Sequence, residues 1–281
     1  MTSLRRFYKP LQEFISSPSD FKLIYSTCKE NKFVSSGIKR ICVLDSSFNP
    51  PHLGHYALIK ESLSHNYSHD EKQDERAILL LLSVKNADKI NPAPESFENR
   101  LEMMYLMAQD LANKFPETKH IGIGLTNHAK FVDKSVSILN YLHINGIDKN
   151  QMKLTFLVGF DTLIRIFNPK YYLPDKLSNS LEEFMKSTDL FCLTRNDDKI
   201  TIDEQSNYLT DIKEGKHEHI PKHWSDNIFL INNYSANVGL ISSSSIRADI
   251  IASNNNWQDK VIPEVKDFII NENLYSPKKK I

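Results

Sequence analysis

The sequence predicts a single doubly wound α/β domain, in which a parallel sheet carries helices on both faces. Apolar runs that suit buried strands alternate along the chain with segments whose apolar residues recur every three or four positions. The 281 residues suffice for one large domain, and we find no internal repeat. Because such folds bind ligands at the carboxyl ends of their strands, the residues that follow each predicted strand are the first candidates for a site.

The first half of the chain predicts three strands and three helices. An apolar run predicts the strand 38–44, and two prolines precede the helix 53–63. The run 77–84 predicts a fully buried strand, and helical spacing predicts the helix 95–112. A strand at 120–125 and a helix at 132–142 follow. The polar stretch 64–76 has no apolar period and is expected to be an exposed loop.

The second half repeats the alternation with shorter elements. The strand 154–158 ends in Gly159, and the helix 162–167 is stopped by Pro169. Strands are predicted at 190–193 and 228–231, with a further helix after the serine run that follows Ile241 and a last one at 263–270. The polar residues 197–226 are interpreted as an excursion outside the core. Residues 1–36 are predicted to be an N-terminal extension, and residues 37–281 the functional domain.

Composition excludes several classes of protein. Lys and Arg total 35, as do Asp and Glu, so no net field attracts nucleic acid or an anionic membrane. The longest apolar run, 77–82, is far shorter than the roughly 18 residues of a membrane span, and the first twenty residues lack a signal-peptide pattern. Three unpatterned cysteines argue against a disulfide framework or a zinc site. We therefore expect an intracellular protein, located in the cytoplasm with the nucleus as an open alternative, without nucleic-acid or membrane partners.

The segment after the first strand, DSSFNPPHLGH at 45–55, predicts an anion site. Neither GxxxxGK[ST] nor GxGxxG occurs in the sequence. Here two prolines fix a turn, and His52 and His55, three residues apart, open a helix with their side chains on one side. Free amides and the positive end of the helix dipole face the same space. Gly54 costs helix stability, and we interpret its missing side chain as room for a ligand.

Three later segments add candidate groups. In ISSSSIR at 241–247, serine hydroxyls stand at a helix N-terminus with Arg247 one turn in, and a guanidinium there can fork two phosphate oxygens. Gly159 and Asp161 end a strand at the ligand edge, where a carboxylate can accept from ribose hydroxyls. Arg195 ends the next strand. Taken singly, the serine run also fits a helix N-cap, Asp161 also fits a helix N-cap, and Arg195 also fits a solvated surface charge.

Several motifs together resemble the nucleotidyltransferase superfamily marked by [HT]xGH, and within it the nicotinamide mononucleotide adenylyltransferases, of a divergent fungal type. The resemblance covers most of residues 38–255, and the matches follow the family's order. The motifs are SFNPPHLGH, the lysine in VKNADK, ENRLEMMYLM, GFDTLIRIF, FCLTRND and ISSSSIR. The resemblance implies a Rossmann-like fold and transfer of the adenylyl group from ATP to nicotinamide mononucleotide, which yields NAD and pyrophosphate.

The resemblance also implies roles for particular residues. The expected catalytic residues are His52, His55 and Arg247. The expected ATP-binding residues are Ser46, Ser47, Phe48, Gly159, Asp161, Ser242, Ser243 and Ser244. The expected mononucleotide-binding residues are Lys89, Phe131, Tyr172 and Arg195, with Phe131 and Tyr172 as stacking rings. Magnesium is expected to be bound mainly through the ATP phosphates, with no protein cage.

Two departures from the family pattern leave alternatives open. Ser46, preceded by Asp45, stands where the family has glycine, which could weaken ATP binding, and Val238-Gly239-Leu240 replaces an aspartate-asparagine element. One alternative is an adenylyl- or cytidylyltransferase for another small phosphate. Another is a nucleotide-binding regulatory protein with weak ATPase activity, whose segments 64–76 and 197–226 bind protein partners. A class I aminoacyl-tRNA synthetase is disfavoured because no KMSKS-like loop occurs.

Overall fold

The computed structural model describes residues 6–28, 33–35, 37–84, 95–118, 120–148, 151–195, 200–232 and 238–276. Seven strands form one sheet: β1 Phe21–Ser26, β2 Arg40–Asp45, β3 Arg76–Ser83, β4 His120–Thr126, β5 Lys153–Gly159, β6 Thr188–Leu193 and β7 Ile228–Ile231. The α-helices are α1 Tyr8–Ser16, α2 Leu53–Ser64, α3 Phe97–Lys114, α4 Phe131–Ile144, α5 Phe160–Ile166, α6 Leu177–Ser187, α7 Ile202–Glu214, α8 Ser243–Ile251 and α9 Pro263–Asn271.

The strands lie in the order β1-β4-β3-β2-β5-β6-β7, and every pair except β1 with β4 is parallel. The chain therefore moves outward from β2 to β4, then returns to place β5 on the other side of β2. Helices cover both faces, with α2, α3 and α9 packed on one face and α4, α6 and α7 on the other. The predicted doubly wound α/β fold is confirmed.

The N-terminal extension contributes to this sheet, which the sequence did not predict. Strand β1 pairs antiparallel with β4, so that Phe21 lies opposite Thr126. Helix α1 places Leu11 and Phe14 in the core, each at most 1% exposed. Strand β1 has polar residues at both Lys22 and Ser26, so it lacks the apolar run by which the central strands were found. A boundary between extension and domain at residue 36 stays a prediction.

Both polar segments are more closely packed than predicted. In the segment 64–76, Tyr67 and Glu71 fold inward, and the Glu71 carboxylate lies between the guanidinium groups of Arg40 and Arg76. The interpretation of 197–226 as an excursion is wrong, because it holds the crossover helix α7 with Ile212 buried and a turn with Trp224 buried. Widely spaced anchor residues in otherwise polar helices give little periodic signal.

The return of the chain from β4 to β5 creates a switch point between β2 and β5. Doubly wound sheets bind ligands in the crevice at this place, outside the carboxyl ends of the strands. No helix of the described residues is long and apolar enough to cross a membrane.

Candidate functional site

A cavity of about 220 Å³ lies at the switch point. The carboxyl ends of β2, β5 and β6 form its floor, and the start of α2 and the segment before α8 form its sides. Eight of the predicted site residues line it: Ser46, His52, His55, Gly159, Asp161, Arg195, Ser242 and Ser243. The fold therefore gathers residues that are up to about two hundred positions apart in the sequence around one space.

The start of α2 orients both histidines. His52 is the N-cap residue, and its Nδ1 accepts a hydrogen bond from the Gly54 N–H at 3.1 Å. His55 Nδ1 accepts from the His52 N–H, also at 3.1 Å. A Cβ on Gly54 would lie 2.9 Å from the His52 ring. The interpretation of Gly54 as room for a ligand is therefore corrected, because the missing side chain makes room for the His52 imidazole.

These caps determine the tautomer of each ring. A backbone N–H can only donate, so each Nδ1 must be the unprotonated nitrogen, and the proton of each neutral imidazole lies on Nε2. His55 Nε2 is 2.8 Å from the Ser46 hydroxyl oxygen and donates to it. His52 and His55 pack with their ring centres 3.9 Å apart. Both rings line the cavity, and each carries its proton on Nε2, that of His55 being engaged by Ser46.

Both imidazoles are neutral at physiological pH. Burial lowers the pKa of His55 to about 4. Burial, together with the neighbouring His55 and the Arg195 guanidinium, holds the pKa of His52 well below its usual range. A buried neutral imidazole donates a hydrogen bond without carrying a charge that would have to be desolvated. The pair is therefore suited to donate to a phosphate oxygen rather than to act as a cationic anchor.

The lowered pKa of His55 predicts acid sensitivity of the fold. The folded-state pKa lies below the unfolded value of 6.5, so the unfolded chain binds the proton more tightly, and stability is lost as the pH falls from about 6.5 toward 4. We expect His55 to contribute a loss of about 2 to 3 kcal/mol between pH 7.5 and 4.5. Urea denaturation of wild type and His55→Asn at both pH values measures the difference. An equal pH dependence in the two proteins would contradict the lowered pKa.

Asp45 is paired with a cation that the sequence did not reveal. Lys134 on α4 places its Nζ 2.5 Å from Asp45 Oδ2, and both side chains are largely buried. The Asp45 carboxylate lines the cavity, and the ammonium group compensates its charge. The ion pair with Lys134 therefore weakens the repulsion that the Asp45 carboxylate would exert on a bound phosphate. Nothing in the spacing of 45 and 134 indicates the pair, since only the fold brings α4 to the end of β2.

Helix α8 is tied to the turn that carries the histidines. Ser242 caps the helix by accepting from the Ser245 N–H. The Ser243 hydroxyl donates to the Pro50 carbonyl at 2.8 Å, and Arg247 Nη1 donates to the Asn49 carbonyl at 2.7 Å. Arg247 Nη2 lies 3.3 Å from the exposed Ser244 hydroxyl. Ser244 on the first turn of α8 and Arg247 one turn further thus lie together, beside the residues that line the cavity and near the helix N-terminus, where the helix dipole favours an anion.

The opposite wall of the cavity carries one cation and one carboxylate. Arg195 Nη1 is 3.5 Å from Asp161 Oδ1, and the buried Arg195 Nε has no hydrogen-bond partner among the described residues. Gln205 on α7 holds the Arg195 backbone, accepting from its N–H at 3.0 Å and donating to its carbonyl at 2.7 Å. Gln205 is fully buried and was not predicted, because it lies in the segment interpreted as an excursion.

A C-terminal tyrosine also supports the site without having been predicted. The Tyr275 hydroxyl donates to Asn49 Oδ1 at 2.9 Å, and the Tyr275 N–H donates to Glu95 Oε1 at 3.2 Å. Tyr275 is 6% exposed and follows the last helix. The C-terminal segment therefore buttresses the side chain of Asn49, while Arg247 binds its carbonyl.

Other predicted residues lie away from this cavity or outside the described ranges. Phe48 is fully buried beneath the turn, and neither it nor Ser47 lines the cavity. Phe131 begins α4 and packs edge-on against Phe156. The prediction that Tyr172 stacks on the mononucleotide is corrected. Tyr172 is 7% exposed and its hydroxyl donates to the Ile166 carbonyl, so its ring fills the core. Lys89 lies outside the described residues.

A doubly wound parallel sheet, with candidate phosphate-binding groups at its switch point, is the architecture of the Rossmann-like nucleotide-binding α/β proteins. The cytidylyltransferase-like family model matches residues 43–249. The match spans well over half of the chain and includes the turn, both histidines and most of α8. The chain belongs to the cytidylyltransferase-like family.

Known proteins of similar sequence and structure agree with this assignment. A Schizosaccharomyces pombe protein, provisionally named a nicotinamide mononucleotide adenylyltransferase, is 35% identical over 265 residues, which are 94% of each chain. Structures of Plasmodium falciparum nicotinic acid mononucleotide adenylyltransferase, complexed with APC or with NaAD, are 19% and 20% identical with TM-scores of 0.53 and 0.54. Each match covers 84% of this chain and 97% of the other, and shows the fold. The resemblance stated on the sequence motifs is confirmed.

Proposed function

We propose that the protein transfers the adenylyl group of ATP to nicotinamide mononucleotide, which forms NAD and releases pyrophosphate. The observation that carries the proposal is the pair of neutral imidazoles at the start of α2, both of which line a cavity that also contains Arg195 and adjoins the start of α8. The S. pombe relative supports the choice of acceptor, because the similarity extends over almost the whole of both chains.

The reaction needs alignment and charge stabilisation rather than a base. The mononucleotide phosphate is already ionised at pH 7, and one of its oxygens attacks the α-phosphorus of ATP. The bond between that oxygen and the α-phosphorus forms as the bond to the bridging oxygen breaks, and pyrophosphate leaves with the bonding electrons. Negative charge shifts toward the leaving phosphates. Donors on the histidine side of the cavity and cations around it stabilise that shift without a covalent intermediate.

The two ends of the cavity suit different parts of the substrates. We assign the β- and γ-phosphates to the N-terminal end of α8, where Ser244 and Arg247 offer hydroxyl, amide and guanidinium donors. Arg195, with its unpartnered Nε, is assigned to the mononucleotide phosphate, and Asp161 to ribose hydroxyls. Phe131 and Lys89 remain candidate mononucleotide residues, whereas the buried Tyr172 is not included.

Magnesium fits this cavity as an ion that arrives with ATP. The carboxylates of Asp45 and Asp161 line the cavity, but Lys134 compensates the first and Arg195 faces the second. Within the described ranges, no three His, Cys, Asp or Glu side chains come together as a ligand set. We propose that ATP phosphates and water would hold the ion, with no cage of protein ligands. When bound, magnesium would neutralise phosphate charge.

A panel of acceptors tests the proposal against its alternatives. Purified protein is incubated with labelled ATP, magnesium and either nicotinamide mononucleotide, its acid form or phosphopantetheine, and adenylylated products are separated. We expect sustained formation of the pyridine dinucleotide. Adenylylation of phosphopantetheine alone would assign the protein to another small phosphate. ATP hydrolysis without transfer to any acceptor would favour a regulatory protein, whose candidate partner surfaces are the segments 64–76 and 197–226.

The assignment of the triphosphate to α8 predicts a weaker response to ATP in Arg247→Ala. Binding to the folded state stabilises it by RT ln(1 + [L]/Kd), about 2.7 kcal/mol at a concentration of 100 Kd. We expect magnesium-ATP to raise the Tm of the wild type and to raise that of Arg247→Ala less, each measured against its own ligand-free Tm. Lys213→Ala removes an exposed charge on α7 and should keep the full shift. Equal shifts in all three proteins would show that Arg247 does not bind ATP.

A further inference from the structure

His55 has no free donor to offer a substrate in this structure. Its Nδ1 is occupied by the His52 N–H, and its Nε2–H is donated to the Ser46 hydroxyl oxygen at 2.8 Å. The ring is 7% exposed and packs between Phe48 and His52, with centroid distances of 5.2 Å and 3.9 Å. Contact between His55 and a phosphate would therefore require the hydrogen bond to Ser46 to break.

Ser46 lies at the cavity wall, and its hydroxyl proton is not used in the hydrogen bond with His55. It follows the last residue of β2 and lines the cavity, and its N–H donates to the Leu81 carbonyl at 3.3 Å. A hydroxyl has one proton and two lone pairs, so an oxygen that accepts from His55 still has its O–H to donate. An O–H whose oxygen already accepts a hydrogen bond is a stronger donor, because the two bonds polarise each other.

We propose that Ser46 is the catalytic donor to the phosphate that reacts, and that His55 is a positioning residue which acts through it. This inference rests on the proposed function. His55 Nε2–H donates to Ser46 Oγ, and the Ser46 O–H donates to a nonbridging oxygen of the ATP α-phosphate. No proton is transferred and no covalent bond to the protein forms. His52 supplies a second donor directly, since the residue lines the cavity and its Nε2–H forms no hydrogen bond with a described residue.

The opposite interpretation of Ser46 is that its side chain obstructs the site. In that case its side chain occupies space near the phosphates, and its hydroxyl oxygen keeps the His55 Nε2–H from donating to them. The two accounts make opposite predictions for removal of the hydroxyl. If Ser46 obstructs, Ser46→Gly accelerates transfer. If Ser46 donates, both Ser46→Gly and Ser46→Ala slow it, and Ser46→Thr, which keeps a hydroxyl, restores much of the rate.

Steady-state kinetics with ATP and nicotinamide mononucleotide test the proposal. We expect Ser46→Ala to lower kcat about 10²-fold, as loss of one preorganised donor does, while KM for ATP stays within about threefold. Ser46→Thr should stay within about tenfold of the wild type. Ser187→Ala removes a hydroxyl on α6, far from the cavity in the fold, and should leave kcat unchanged. A Tm of Ser46→Ala close to that of the wild type would separate the kinetic loss from misfolding.

A double-mutant cycle identifies the path of the hydrogen bonds. If His55 acts through Ser46, the variant with both His55→Asn and Ser46→Ala is no more than about threefold slower than the slower single variant, because residues that act as one unit are not additive. Multiplied losses in the double variant, or a Ser46→Ala enzyme at the wild-type rate or above it, overturn the inference alone. A wild type that forms no adenylylated product with any acceptor overturns the proposed function and this inference together.

Discussion

His55→Asn is expected to lower the rate of adenylyl transfer by about 10²- to 10³-fold, the usual effect of removing a preorganised donor from developing charge. Asparagine is chosen because its Oδ1 can still accept from the His52 N–H, whereas it has no atom at the position of Nε2. Alanine would also empty a buried site, since His55 is 7% exposed. The measurement is kcat for NAD formation from ATP and nicotinamide mononucleotide.

A matched histidine provides the control for this prediction. His143 lies in the last turn of α4 and is exposed, so His143→Asn should retain the wild-type kcat. The Tm of His55→Asn at pH 7.5 shows whether the fold survives. A folded His55→Asn protein with the wild-type kcat would exclude any role of the Nε2 donor, whether direct or through Ser46.

Arg40→Met is expected to destabilise the fold by about 3 kcal/mol, the low end of the range for breaking a buried ion pair. It removes one of the two cations beside each of two buried carboxylates and leaves Glu71 with Arg76 and Asp189 with Lys153. Arg40 begins β2, at the edge of the sheet opposite the cavity. Its Nη1 lies 2.5 Å from Asp189 Oδ2 and its Nε lies 2.9 Å from Glu71 Oε2, with all three side chains at most 7% exposed. The Arg40 guanidinium also stacks 3.9 Å from the centre of the Tyr67 ring. Methionine keeps much of the side-chain volume, so the decrease in the free energy of unfolding measures mainly the loss of the charge and its hydrogen bonds.

The adjacent residue supplies a control of the same chemistry. Lys39 forms an ion pair with Glu75 at 2.9 Å, but the lysine side chain is 50% exposed, and such a pair contributes about 0 to 1 kcal/mol. Urea denaturation at pH 7.5 should therefore show a small change for Lys39→Met and a large one for Arg40→Met. Similar free energies of unfolding for the two variants would contradict the importance of the buried network.

The sequence predicted the central sheet and the histidine side of the site because both are encoded locally. The central strands are largely buried and consist mostly of apolar residues, so β2, β3 and β5 were placed within one or two residues. His52 and His55 follow β2 directly and begin a helix, so their common orientation follows from helix geometry alone. Arg195 and Asp161 could be placed because parallel strands end at one edge of the sheet.

Other features depend on contacts between distant segments and left no local signal. Strand β1 pairs with β4 across about one hundred residues, and Asp45 meets Lys134 only after α4 has packed on the sheet. Gln205 holds Arg195 from a helix that is mostly polar. Tyr172 was expected at the mononucleotide because aromatic residues suit stacking, but its position beneath α5 depends on packing that spacing does not reveal.

The central claim, that this cavity joins a mononucleotide to the adenylyl group of ATP, is tested most directly by the stoichiometry of its products. Purified protein is supplied with magnesium-ATP and nicotinamide mononucleotide, and NAD, pyrophosphate, ADP and inorganic phosphate are measured together over many turnovers. Attack at the α-phosphorus predicts one pyrophosphate for each NAD, with no ADP. Release of ADP and inorganic phosphate without NAD would mean that the cavity hydrolyses the terminal phosphate, and would contradict the account.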